Sequence, residues 1–471
     1  MNEFQAIKIN KSSDYPVYKQ LGDGLLSIIE SGILKPGAKL PPIRIMAAAL
    51  KINSITVVNA YKYLESKKVV YSQMGSGTYV SEFVKKDLPT PILSLLDHHE
   101  DEGEKSPLAI NFANGATSPE LFPVNEFKEF FNLILDRDKG NAFNYTDVCG
   151  YEPLRITLCD YLSRFGIKAS HDKIQIVSGA QQGIDIISKA TLSTGDTVFV
   201  ESPTYYGAVG SFLARGAQIV DIPMKQDGID VEKLESLLKI YRPKFIYIMS
   251  YYQTPTCCSY SLEKKKKLLE IAYKYDTYII EEDSQSEFIY SDDRIIPLKA
   301  LDHRNKVIYI KTFSKILMPG LRLGLMVLPK KIIESSLSAK YTSDITTSGF
   351  IQRAFDLYIK SGKFYEHIDF MKNHYKAKYE LVTGLVSDKL SSHVSFDLPG
   401  GGLSIWLELK RKDESSQKLC QKLAQKGVVL IPGTVFSKDG EDLPFIRMCF
   451  ADISDDKIEM GIDIIQDCLG K

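Results

Sequence analysis

The stretch "KTFSKILMPGLRLG", residues 311–324, decides how the chain is read. It follows "VIYI" (307–310), a continuous apolar run that predicts a buried strand. A lysine just past buried strand residues must reach water or find a partner, because an unpaired ammonium is costly in apolar surroundings. In a surface loop, Lys315 would be an ordinary solvated cation. At a strand end facing a binding crevice, it would be an amine held for Schiff-base chemistry. Arg322, seven residues on, would then be a fork for a phosphate.

The surrounding sequence favours the crevice. Between residues 108 and 471, apolar runs such as "KIQIVSG", "TVFVES", "FIYIMS" and "TYIIEED" alternate with helical stretches such as "QQGIDIISKATL" and "SLEKKKKLLEIAYKY". Continuous rather than alternating apolar strands predict a parallel sheet buried on both faces, hence an α/β domain. Ligands in such folds sit at the carboxyl ends of the strands. The chemically useful residues fall there. "VSGAQQG" can present backbone N–H groups and Gln181 to an anion. Tyr205 follows the next strand and can stack on a planar ring. Glu282 and Asp283 end another strand, where a carboxylate can pair with a protonated ring nitrogen. Arg447 lies inside the apolar run "FIRMCFA", so it needs a carboxylate from protein or substrate.

Residues 1–80 have a different character. They carry ten Lys/Arg against five Asp/Glu, whereas residues 81–106 carry three against seven, in a chain of zero net charge. A basic head followed by an acidic connector is treated as a separate unit. Val17, Leu21, Leu25, Ile28 and Ile29 form a helical stripe. "LPPIRIMAAALK" predicts a short second helix opened by Pro41–Pro42. "INS" turns the chain, and Ser54 or Asn53 can cap a third helix over "ITVVNAYKYLESKK". "VVYSQMGSGTYV" predicts a hairpin. This order predicts a winged helix-turn-helix, whose third helix enters the major groove of DNA.

Other features exclude alternatives. No run of about 18 apolar residues exists, so no membrane span is expected. The N-terminus lacks the apolar core of a signal peptide. Seven scattered cysteines without metal-ligand spacing predict reduced thiols in a cytoplasm. "SEFVKKDLPTPILSLLDHHEDEGEKSP" (81–107) predicts a linker, and His98–His99 a solvated loop rather than a metal site. The expected domains are therefore 1–80, 81–107 and 108–471.

In order and spacing, "PVYKQL", "SGILKPGAKLP", "TVVNAYKYLESKKVV" and "GSGTYV" resemble the GntR family of bacterial DNA-binding domains. The resemblance implies DNA contacts from Arg44, Ser54, Thr56 and Tyr61, with Ser76 and Thr78 on the wing. Pro42–Ile43 stand where the family has small hydroxyl residues, and Ser54 where it has a basic one. The body, through the stretches above and "INFANGATSPELFP", "PGGGLSIWLEL" and "GVVLIPGTVFS", resembles fold type I pyridoxal-phosphate enzymes of the aminotransferase group. Head and body together are similar to the MocR/GabR regulators.

The resemblance implies that Lys315 forms a Schiff base with pyridoxal 5'-phosphate. Thr312, Ser314, Arg322, Ala180 and Gln181 would hold the phosphate, and Tyr205 would stack on the ring. Glu282 aligns with the ring-nitrogen acid, with Asp283 able to substitute, and Arg447 would bind an effector carboxylate. Thr254 stands where many relatives have asparagine, Cys257 where glycine is usual, and Ser284 where a tyrosine contacts the ring hydroxyl. Partners implied are a double-stranded DNA operator, a small amine or amino-acid effector and a second copy of the chain. A regulator is the favoured expectation. A working aminotransferase and a cofactor-free relic remain open, and the departures at Glu282 and Ser284 bear on proton transfer more than on Schiff-base formation.

Overall fold

The structure is a computed structural model. It describes residues 7, 9, 16–30, 34, 37–66, 69–73, 76–81, 109–291, 293–411, 415–437 and 440–470. All but one residue of the expected linker, including His98–His99, lies outside the described residues. Two compact units divide at Asp87.

In the N-terminal unit, α1 (Val17–Glu30) packs on α3 (Ser54–Ser66), with α2 (Ile43–Leu50) between them in sequence. Leu21 and Leu25 of the predicted stripe are fully buried, with Met46, Val57, Ala60 and Leu64 opposite. Helices α2 and α3 meet at 115°, as in a helix-turn-helix. The turn is built by Lys51 in the left-handed region (φ 52°) and by Asn53, whose Oδ1 accepts from the Ile55 amide at 2.9 Å. Asn53, not Ser54, is thus the residue that caps α3. The hairpin is β1 (Val70–Gln73) against β2 (Gly77–Val80), paired antiparallel from Val70–Val80 to Gln73–Gly77.

The second unit opens with β3 (Ile110–Asn111) and is organised on an eight-stranded sheet. Its strands are β4 (Ile174–Val177), β5 (Thr197–Ser202), β6 (Gln218–Lys225), β7 (Gly228–Ile229), β8 (Phe245–Ile248), β9 (Tyr278–Asp283), β10 (Val307–Thr312) and β11 (Gly324–Val327). Spatial order is β4-β11-β10-β9-β8-β5-β6-β7. The five strands β6, β5, β8, β9 and β10 are parallel; β5, β8, β9 and β10 carry the apolar runs from which this is expected, whereas β6, interrupted by Asp221, does not. The sheet is nevertheless mixed, because β11 runs antiparallel to both β10 and β4. The reason lies in the link 313–323. It holds one 3₁₀ turn and no crossover helix, and a parallel return requires a crossover. β12 (Val394–Ser395), β13 (Ser404–Leu409), β15 (Ile431–Pro432) and β16 (Phe445–Cys449) form a second, antiparallel sheet, and β14 (Val428–Val429) pairs with β3. No single described helix is long and apolar enough to cross a membrane.

The ends of β9 and β10 carry a buried charge cluster. Lys311 Nζ lies 3.1 Å from Asp283 and 2.5 Å from Glu287, with Tyr309 donating to Asp283 at 2.6 Å. Burial alone would push the Lys311 ammonium down, but the two carboxylates outweigh it and leave its pKa raised. Removing one partner from such a cluster leaves charge buried without compensation. Lys311→Met, which keeps most of the volume, should destabilise the body by about 3–5 kcal/mol in guanidinium chloride denaturation.

Candidate functional site

Lys315 sits four residues beyond Lys311, in the link between β10 and β11. Its amine donates to the Gly115 carbonyl, and a Cβ added at Gly115 would come within 3.1 Å of Nζ. No carboxylate lies within ion-pair distance of it among the described residues. Burial lowers its pKa, Arg447 lowers it further, and Cys449 and Glu282 offset part of the shift. A lowered pKa raises the fraction present as free amine, the form that attacks a carbonyl.

Glu282 and Asp283 are separated by the pleat. β9 pairs Glu282 with Ile310 and Asp283 with Lys311, so the two carboxylates leave opposite faces of the sheet. Asp283 is fully engaged: it accepts from the Ser286 amide (3.1 Å) and hydroxyl (2.7 Å), Tyr309 and Lys311. Asp283 is therefore withdrawn as a cofactor contact, because its lone pairs are spent on the structural cluster. Glu282 faces the Lys315 side and accepts a hydrogen bond from Tyr247. Burial pushes its carboxyl up to about 7, against the Tyr247 bond.

A group of donors gathers at the other edge of the crevice. Arg322, left-handed at φ 53°, donates from Nη2 to the Ser178 carbonyl at 2.6 Å and has no carboxylate partner among the described residues. Gly179 (φ 95°) admits it closely, since a Cβ there would meet the guanidinium at 3.0 Å. The helix Ala180–Thr191 starts at this point, so its first amides have no intrahelical acceptor. Gln181 donates to the Gly207 carbonyl and Ser211, and its oxygen accepts from Tyr205 at 3.2 Å. The Thr312 and Ser314 hydroxyls are 3.0 Å apart. A donor-rich, carboxylate-free set ending in an arginine fork is chemically suited to a phosphate dianion. The residues present fit pyridoxal phosphate: a set of phosphate-type donors, a buried acid and an amine of lowered pKa lie together.

Arg447, on β16, donates to the Ala113 carbonyl at 3.0 Å and lies 5.4 Å over the Phe436 ring. Its Nε is enclosed without a partner, and no carboxylate pairs with it among the described residues. Thr254 is half-buried in the loop after β8. Cys257 adopts φ 60°, which accounts for the glycine usual at that position.

Sequence reading missed Glu201. It is fully buried at the end of β5, with its carboxyl pushed up to about 8 by burial. It accepts from Tyr260 (2.5 Å), Gln253 (3.1 Å) and the Met249 amide (3.2 Å). It thereby ties the loop carrying Tyr205 to the loop carrying Thr254. No spacing rule links Glu201 to Tyr260 or Gln253. A glutamate inside "TVFVES" was the available signal.

In the head, Arg44 and Ser54 are exposed, and Thr56 and Ser76 are half-buried. Ser76 Oγ lies 2.5 Å from the Tyr79 hydroxyl, and Thr78 is within 3.5 Å of Ser72. Tyr61 departs from expectation. It is 6% exposed, packs in the core, and donates to the Pro41 carbonyl at 2.7 Å. It braces α3 against the start of α2 rather than facing a partner.

Comparison with known proteins agrees with this architecture. The model of the family "Aminotransferase class I and II" matches residues 107–465, and that of "Bacterial regulatory proteins, gntR family" matches 17–80. The chain belongs to the aminotransferase class I and II family, with a GntR-type head. It is 26% identical over 468 residues to the uncharacterized HTH-type transcriptional regulator YdfD of Bacillus subtilis, covering 96% of each chain. It is 26% identical over 415 residues to the probable rhizopine catabolism regulatory protein MocR of Rhizobium meliloti, covering 84% of this chain and 82% of that one. Among solved structures, a kynurenine aminotransferase of Pyrococcus horikoshii aligns with TM-score 0.77 and 32% identity, over 82% of this chain and 96% of that one. A GntR-type head fused to an aminotransferase-like domain is the MocR arrangement, and it places the body among pyridoxal-phosphate folds of type I.

Glu282 makes stability depend on pH in a definite direction. Its pKa in the fold is raised above the ordinary 4.5, so its favourable contribution is present below pH 4.5 and lost as pH rises through about 7. Glu282→Gln should therefore reduce the loss of stability of cofactor-free protein between pH 5 and 8, by up to about 3 kcal/mol. Urea denaturation at both pH values measures it.

Proposed function

We propose that the protein is a pyridoxal-phosphate-dependent transcriptional regulator. Its head would bind operator DNA, and its body would sense the cofactor or an amine that reacts with it. The single observation carrying this reading is that one chain joins a GntR-type head to an aminotransferase body whose Lys315 has no carboxylate partner among the described residues. An enzyme has no use for the head, and a relic has no need to keep a half-buried lysine without a carboxylate partner at this position. The whole-length similarity to named regulators supports the same reading.

The bound cofactor would supply an aldehyde that reacts with amines and a ring that withdraws electrons. The chain's own residues do the rest. Arg322, Thr312, Ser314 and the first amides of the helix Ala180–Thr191 would hold the phosphate. Tyr205 would flank the ring. Ionised Glu282 would hold a proton on the ring nitrogen. Lys315, whose pKa burial lowers, would hold the aldehyde end of the cofactor through its amine. Arg447 would take the carboxylate of an amino-acid effector. With Ser284 in place of a phenol, no side chain at that position delivers an acidic proton to the ring hydroxyl, which disfavours rapid turnover. The unit would act as a homodimer with two heads, so the operator would contain paired half-sites. The domain limits proposed are 1–80, 81–107 and 108–471.

Lys315→Ala should remove the visible absorption of lysine-bound cofactor while far-ultraviolet circular dichroism is unchanged. Arg322→Ala should keep the band but weaken cofactor retention tens-fold, the equivalent of about 2–3 kcal/mol for a charge-assisted phosphate contact. Persistence of the band in the first variant would remove Lys315 from its role.

The effector should alter operator affinity by about 5- to 150-fold, the range of coupling energies of 1–3 kcal/mol. Operator binding is measured with and without cofactor and a panel of amines and amino acids, beside a transamination assay. Fast multiple turnover with operator affinity indifferent to every compound would replace this reading with the aminotransferase.

A further inference from the structure

At the amino ends of the central strands, a groove of about 790 Å³ is lined by Lys173, Arg304, Lys306, Lys330 and Lys331. The five come from three separate segments: the approach to β4, the approach to β10 and the residues just after β11. Only the sheet order β4-β11-β10 brings them together. Two acids, Asp276 and Glu334, line the same groove, leaving it with three net positive charges on a chain whose total is zero.

An exposed lysine is ordinarily a solvated one, and a single lysine here would carry no argument. The pairing pattern is what differs. Lys306 is satisfied: it meets Asp276 at 2.6 Å and sits 4.4 Å over the Tyr278 ring. Lys173, Arg304, Lys330 and Lys331 have no carboxylate within 4.0 Å among the described residues, although many other lysines of this body are paired. Tyr273 adds an aromatic face, with the Arg304 guanidinium 5.1 Å over it. Unpaired cations gathered in a concavity with aromatic walls raise the local potential and favour an extended polyanion over a single small anion.

We propose that this groove binds the phosphodiester backbone of duplex DNA, as a second contact beside the head. The inference rests on the DNA-binding reading above. DNA held by the heads is tethered to the same chain, so phosphate contacts from the body would gain by effective concentration. Lys173, Arg304, Lys330 and Lys331 would contact phosphates without reading bases, so they would add affinity and salt dependence rather than sequence preference.

The test uses full-length, cofactor-loaded protein and a fluorescein-labelled 60-base-pair duplex of random sequence, titrated at several salt concentrations. The variant is Arg304→Ala/Lys330→Ala/Lys331→Ala, with an unchanged visible cofactor band as the check on folding. It should bind about tenfold or more weakly, and its log affinity should fall less steeply with log salt by about two to three units, near 0.9 for each phosphate no longer neutralised. A variant with wild-type affinity and slope overturns the proposal and leaves the head reading intact. A variant that keeps the wild-type slope but no longer binds inorganic tripolyphosphate also overturns it, because the groove then serves a small anion. Wild-type protein that binds no duplex at all overturns the head reading and this one together.

Discussion

The buried contact of Lys311 with Asp283 and Glu287 is the constraint on which the site depends. A fully buried ammonium is tolerable only when paired, and here it is paired twice. That pairing consumes Asp283 and one of the two lysines of "KTFSK". Alternation along β9 turns Glu282 to the face opposite Asp283, and Lys315, in the turn after β10, reaches the same side, where its amine meets the Gly115 carbonyl. Neither has an ion-pair partner among the described residues. The cluster thus separates structural charge from reactive charge within five residues of sequence.

Electrostatics in the crevice follow from this separation. Lys315 is pushed down by burial and by Arg447, and Glu282 is pushed up to about 7 by burial. Both shifts favour uncharged groups in the absence of a ligand. In the proposed reading, a phosphate would pair with Arg322, and a protonated ring nitrogen would favour the ionised form of Glu282. Glu201 adds a mechanical link, since its single carboxylate gathers Tyr260, Gln253 and Met249 from one loop while lying two residues before Pro203 on another.

The two ends of the sheet carry charge of different kinds. At the carboxyl ends, the exposed Arg322 and the half-buried Arg447 are held by backbone carbonyls of Ser178 and Ala113. At the amino ends, Arg304 and the lysines around it are spread along an open groove. In the proposed reading, the two ends of the sheet would serve different ligands, a cofactor phosphate and a nucleic-acid backbone.

By itself the sequence determined the helix-turn-helix order of the head, the apolar central strands and the position of Lys315 and Arg322 at a strand end. These are local properties: periodicity, turn chemistry and the spacing of residues along one segment. The tertiary structure decided what depends on neighbours far along the chain. Asp283 rather than Glu282 meets Lys311 because of the register between β9 and β10. Tyr61 turns inward because Pro41, twenty residues earlier, offers a carbonyl. β11 reverses the sheet because its link to β10 is too short for a crossover helix. The basic groove exists only because the strand order brings three distant segments side by side, and no reading along a line of residues reports that adjacency.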